Sequence, residues 1–298
     1  MRLIFILVCF LALQFSSAFA QSEELDITDI VTAQDAYDAD LNNRTRSELL
    51  AALKAYEGPP TVETVNAYII VMANDTALGR HEKIRESALA ATNHLEPIAR
   101  IIPKQYADSK YAAAVSYFNS DPEPEAILEM AHLRGFLRGV ANEDGARAEW
   151  AIDMGWKVSA WEMAMGAYFT SVDEPYPNEG ETNAIVDQYP SIPTPSSERL
   201  NPLPHCSGKL IQRPRLDYPA AALRQGRFGA LFLRMHLDDE GRVVDPEVLA
   251  AVPVDEFDDR SMRMVSRWKY RPDKPRDVGV KCSLERQNLI QPLTFSIK

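Results

Sequence analysis

Cysteine is scarce in this chain of 298 residues: only Cys9, Cys206 and Cys282 are present. The five histidines (His81, His94, His132, His205 and His236) are scattered, and only His205 adjoins a cysteine. Such a set makes a poor zinc site, so no metal is expected. The chain also lacks a glycine-rich phosphate loop and a nucleophile set beside a base, so neither an enzyme nor a bound cofactor is expected. Basic residues are the minority. Lys and Arg number 32 against 43 Asp and Glu, a net charge of −11. The imbalance is local: residues 21–200 hold 14 basic and 30 acidic side chains, residues 201–298 hold 17 and 13. So acidic a half disfavours nucleic acid and anionic membrane surfaces, and no nucleic-acid partner is expected. The apolar run at the start, Leu3 to Phe15, is shorter than the roughly 20 residues that span a bilayer.

That run has another use. Arg2, the apolar stretch and the "AFA" exit before Gln21 form the pattern of a secretory signal peptide, residues 1–20. Cleavage after Ala20 leaves Cys206 and Cys282, an even pair that an exported protein can oxidise. The bond would close a loop of about 75 residues, for which the chain-entropy model gives about 4 kcal/mol at most.

Residues 21–172 read as an acidic helical domain. Thr45 with Glu48 has the spacing of a capping box ahead of "LLAALKAY". "GPP" at 58–60 stops that helix, and Thr61 is placed to cap the next. Ser120-Asp121-Pro122-Glu123 reads as a further helix start, with Pro122 in the first turn. Trp150, Met154, Val158, Trp161, Met165 and Tyr168 repeat at helical spacing and mark a core-facing stripe. "YADSKYAAAVSYF" (106–118) resembles the small-and-aromatic packing code of tetratricopeptide repeats, without a clean 34-residue period. Helical hairpins stacked as repeats and an irregular helical domain both fit. Residues 173–212 are polar and proline-rich, the composition of a linker.

The C-terminal stretch alternates in kind. Tyr218-Pro219 opens a short helix that Gly226 ends. In "FGALFLRMHL", Leu231, Leu233, Met235 and Leu237 share a face at period two, and Phe232 is an apolar exception on the other face. "DDEG" predicts a turn with Gly241 at its tight position. "RVVDPEVLAAV" returns as a second strand, where Pro246 indicates an edge or a bulge. A helix follows, with Phe257, Ser261, Met264, Val265 and Trp268 on one face, expected to pack on Leu231, Leu233 and Met235. "KYRP" ends that helix, and "LIQPLTFSIK" is the last strand.

Tyr218-Pro219 with Ala222, then Gly229, the D-x-G-R-V turn at 239–243, Phe257 and W-x-Y-x-P at Trp268, Tyr270 and Pro272 resemble, in this order, the C-terminal domain of TonB. The resemblance covers residues 213–298. The fold class expected is an all-α domain of helical hairpins followed by a small α+β domain, with two helices on a small antiparallel sheet. The resemblance also implies a function. Family members pair their last strand with the TonB box of a TonB-dependent outer-membrane transporter, which is β-augmentation. The stretch that corresponds to this strand is Leu289, Ile290, Gln291, Leu293, Thr294, Phe295, Ser296 and Ile297, with Pro292 lacking a main-chain donor. A disulfide between Cys206 and Cys282 would tie the chain ahead of this domain to the loop before that strand. With the signal peptide removed, the chain is expected in the periplasm, with a second protein bound at the helical domain. If residues 1–20 are instead kept as an anchor, it is an energy transducer that meets ExbB and ExbD.

Overall fold

The computed structural model describes residues 26–143, 148–189, 208–212, 218–272 and 285–296. Residues 1–20, Cys206, Cys282 and Ile297 lie outside the described residues. The chain forms two compact units that divide between Ala126 and Ile127. As the sequence implies, an all-α region precedes a small α+β domain.

The first unit holds helices α1 (Thr28–Ala39), α2 (Asn43–Ala55), α3 (Val62–Ala77), α4 (His81–Leu95) and α5 (Pro103–Ser120), with a 3₁₀ turn at Glu96–Ile98. Consecutive helices pack on one another as hairpins. The cap of α2 differs from the expected one. Asn42, not Thr45, stands at its start: the Asn42 amide oxygen accepts from the Arg44 and Thr45 N–H groups at 2.8 and 3.1 Å. Thr45 then serves as the third helical residue and accepts from the Asn42 N–H. An Asn cap followed by Thr satisfies the same orphan donors that Thr45 and Glu48 would have, one turn earlier. Thr61 caps α3 as expected, in a reciprocal pair with Thr64. Asp121 ends α5 in an extended conformation, and the next helix starts only at Glu125. Ile30, Tyr37, Leu49, Leu50, Leu53, Tyr68 and Val71 form the core of the first three helices.

Beneath that core lies a buried ion pair. Arg46 donates to both carboxylate oxygens of Asp75, at 2.8 and 2.7 Å, and the two residues are 4% and 1% exposed. Ser87 Oγ donates to Asp75 at 3.0 Å, and the third guanidinium nitrogen of Arg46 reaches Glu86 at 3.1 Å. Lys54 and Arg46 hold the Glu86 carboxyl below the usual carboxylate range.

In the second unit, helices α6 (Glu125–Glu143), α7 (Glu149–Val172) and α8 (Glu179–Val186) precede the sheet. Asn178 and Glu181 form a capping box at the start of α8. Two tyrosines fasten the chain around α8. Tyr176 lies 3.2 Å from where a Cβ on Gly166 would stand, and Tyr189 fills the space that a side chain at Gly135 would need. Arg138 bonds the Asp187 carboxylate and the Tyr189 carbonyl, at 3.2 and 3.1 Å. Both glycines sit inside helices, where glycine costs roughly 1 kcal/mol relative to alanine. The close approach of the tyrosine rings is the physical reason they are there.

Glu162 of α7 pairs with Arg134 of α6 at 3.0 Å and is mostly buried. Burial pushes its carboxyl up to about 7 from an ordinary 4.5, against the opposing pull of Arg134. The folded chain therefore holds this proton more tightly than the unfolded chain does. The resulting stabilisation is complete below about pH 4.5 and is lost as pH rises through about 7, a span of about 3 kcal/mol. Glu162→Gln keeps the polar contact and removes the titration. Its unfolding free energy should vary less between about pH 5 and about pH 8 than that of the unsubstituted chain. Urea unfolding followed by tryptophan fluorescence reads this directly, because Trp150, Trp156, Trp161 and Trp268 all lie in the second unit. Parallel pH profiles would refute the assignment.

The three-stranded antiparallel sheet has the order β3–β2–β5, with β2 Gly229–Leu237, β3 Val243–Val252 and β5 Arg286–Phe295. A second antiparallel pair joins β1 (Gly208–Gln212) to β4 (Lys269–Pro272). "KYRP" thus does more than end a helix: it is itself a strand, and its partner is the segment before the expected domain start. The turn after β2 closes as the sequence predicts. Gly241 has φ 74°, and Arg242 N–H donates to the Asp238 carboxylate at 2.8 Å. The β2–β3 register slips beside Asp245-Pro246, where Asp245 has φ 45°, which is the expected bulge. The short helices α9 (Ala220–Arg224) and α10 (Asp258–Val265) belong to the inner layer. Trp268, Phe257 and Val265 are packed into one core with Leu231, Leu233, Met235, Leu293 and Phe295, as the two periodicities require.

Candidate binding edge

Several of the motif residues that carry the resemblance have a visible mechanical task. Gly229 begins β2 where the Phe257 ring and the Val252 carbonyl leave no room for a Cβ. The Tyr218 ring stands edge-on to Phe257 and Phe295, at 5.7 and 5.6 Å, and its hydroxyl donates to the Arg227 carbonyl. Phe257 and Phe295 stack at 4.2 Å. Tyr270 N–H donates to the Gly241 carbonyl at 2.7 Å, tying β4 to the tight turn. These contacts position β5 from its inner side.

Among the described residues β5 pairs with β2 alone, from Arg286 opposite Leu237 to Phe295 opposite Gly229. The inner positions are Leu289, Gln291, Leu293 and Phe295, and the last two are buried. The outer positions, Ile290, Pro292 and Thr294, are exposed, and Ser296 beyond the strand is half-buried. Alternation therefore runs as the sequence indicates from Leu293 to Ser296. Asn288, with φ 56°, marks a bulge opposite Met235–Leu237, and its N–H donates to His236 Nδ1 at 3.3 Å. Leu289 to Phe295 come together in one strand at the margin of the described sheet, with Ser296 just beyond its end; Ile297 lies outside the described residues. What the sequence did not reveal is the outer layer of this sheet. Ala230, Phe232, Ala250 and Val252 are covered by α7, through Ala160 and Ala164 and the half-buried Trp156, Trp161 and Met163. The only hint was Phe232, apolar on the face that should have been polar.

No group of three or more His, Cys, Asp or Glu that could hold a metal ion occurs among the described residues. Also among them, no helix is long and apolar enough to cross a membrane.

Comparison with curated proteins found no match. A solution NMR structure of the Pseudomonas aeruginosa TonB C-terminal domain is similar at 26% identity, covering 30% of this chain and 87% of that one, with a TM-score of 0.27. A family model described as "Gram-negative bacterial TonB protein C-terminal" matches residues 214–288. The match stops at Asn288, so most of β5 lies beyond it. Over that stretch, about a quarter of its length, this chain is similar to the C-terminal domain of Gram-negative TonB proteins, as the spaced motifs from Tyr218 to Pro272 imply.

Proposed function

We propose that this chain is a TonB-like binding protein of the periplasm. Its β5 edge engages an extended peptide, such as the TonB box of a TonB-dependent outer-membrane transporter, by main-chain pairing. The observation that carries this reading is the position of β5: among the described residues it ends the sheet, with a strand on one side only. An edge of this kind presents a row of donors and acceptors to an incoming strand. Proline is tolerated in a strand where its nitrogen points away from the ladder. Pro292 therefore indicates that the main-chain groups of Ile290, Pro292 and Thr294 point outward. A peptide at this edge forfeits one bond at Pro292 and depends on its neighbours.

Thr294→Pro removes the next outward donor and should weaken peptide binding at least tenfold, whereas Thr294→Ala should change it less than threefold. Titration of a TonB-box peptide, followed by amide NMR, measures both. Shifts confined to another surface would overturn the proposal.

The helical domain, residues 21–172, is the module for a second protein, which a pulldown from periplasmic extract would recover. N-terminal sequencing of the mature protein separates the periplasmic form from a transducer that keeps residues 1–20 and meets ExbB and ExbD.

The disulfide between Cys206 and Cys282 belongs to the same proposal. Mass spectrometry of the oxidised protein should find no free thiol at either position; two free thiols would remove the bond from the proposal.

A further inference from the structure

The covalent path from the end of α7 to the start of β2 runs from Val172 to Gly229 and includes the proline-rich residues. The non-covalent path is one layer of side chains. Ala160 and Ala164, both fully buried, lie against Ala230, Ala250 and Val252, which are 0%, 7% and 6% exposed. Trp156 meets Phe232 at 5.4 Å between ring centroids, and Tyr168 meets Phe228 at 5.2 Å. Alanine on both surfaces lets a helix approach a sheet closely, and the aromatic pairs bracket that contact. On its other edge β2 carries β5, with Ala230 opposite Thr294 and Phe232 opposite Pro292. Two of the residues that α7 covers, Ala230 and Phe232, are therefore the direct neighbours of the outward-facing part of β5.

We infer that α7 is a positioning element of the C-terminal module. It locks β2 from the outer face and also lies against β5, so that β5 and the helical layer move as one body, and displacement at the edge reaches α7 through these contacts rather than through the proline-rich chain. This goes beyond the peptide-binding reading and holds whatever β5 binds. It also places the minimal unit upstream of the family match: residues 213–298 alone would leave the apolar outer face of Ala230, Phe232, Ala250 and Val252 without its cover.

Hydrogen exchange on the full chain tests the coupling. Ala160→Glu forces a carboxylate into the contact, some 70 residues before β2 in sequence. Amides of Ala230–Phe232, Leu293 and Phe295 should exchange at least tenfold faster, with α2 to α4 unchanged. Unchanged protection in β2 and β5 would overturn the inference. Should this variant fail to fold, Trp156→Ala and Phe232→Ala, made singly and together, decide the question. Their effects on the unfolding equilibrium constant should be coupled by about fivefold. Strict additivity would show that the two layers are independent.

Discussion

Trp268→Ala should destabilise the second unit by about 3–5 kcal/mol, the range for removing a large aromatic from a packed core. Trp268 stands at the joint between α10 and β4 and is 2% exposed. It shares its core with Phe257, Val265, Leu231, Leu233 and Met235, which come from one helix, its approach and one strand. Truncation leaves a cavity whose walls are fixed from several directions, so little of it can collapse. The side chain is also where helix becomes strand, so its loss should loosen the β1–β4 pair together with the sheet. Tryptophan fluorescence still reports on this unit after the substitution, through Trp150, Trp156 and Trp161. A midpoint in urea equal to that of the unsubstituted chain would refute the packing.

Asp75→Ala should cost the first unit about 3 kcal/mol or more. The Coulomb attraction of the pair is not the main reason. Arg46 is 4% exposed, and removing its bidentate carboxylate leaves a cation that water cannot reach. Glu86 still touches one guanidinium nitrogen, from a half-exposed position, and offsets only part of the loss. Ser87 Oγ would lose an acceptor as well. The partner experiment distinguishes this cause from a general loss of packing. Arg46→Met combined with Asp75→Leu removes both charges at similar volume and should recover most of the stability. Far-UV circular dichroism of thermal unfolding measures both chains. Equal destabilisation by the single and the double change would show that the charge is not the cause.

Both results concern interactions that differ in how visible they are in sequence. The packing around Trp268 was legible because each contributor declares itself locally. Leu231, Leu233 and Met235 alternate, Phe257, Val265 and Trp268 repeat at helical spacing, and the D-x-G turn fixes how the strand returns. The Arg46–Asp75 pair was not legible. The two residues are 29 positions apart on separate helices, and each looks like an ordinary solvated charge. The cap of α2 was misread by one turn, because Asn42 and Thr45 can each begin a helix, and the choice depends on the extended backbone at Asn42.

The candidate edge divides in the same way. The alternation from Leu293 to Ser296 is a local property, and it determined by itself which side chains face the core. The position of β5 next to β2 and away from β3 is a matter of long-range pairing, which no local pattern encodes. The apolar stripe of α7 was expected at Trp150, Met154, Val158, Trp161, Met165 and Tyr168, and Val158 and Met165 are indeed buried. The face that meets the sheet is centred on Ala160 and Ala164 and takes in only Trp161 and Tyr168 of that stripe, and alanine does not announce a contact because it suits any face of any helix. The sequence alone therefore determined the elements, their inner faces and the spaced motifs of the C-terminal module. Only the tertiary structure decided that β1 pairs with β4, that β5 lies at the margin, and that α7 covers the outer face. Those choices depend on which surfaces meet at long range, and the energy of such a meeting is a property of both surfaces together.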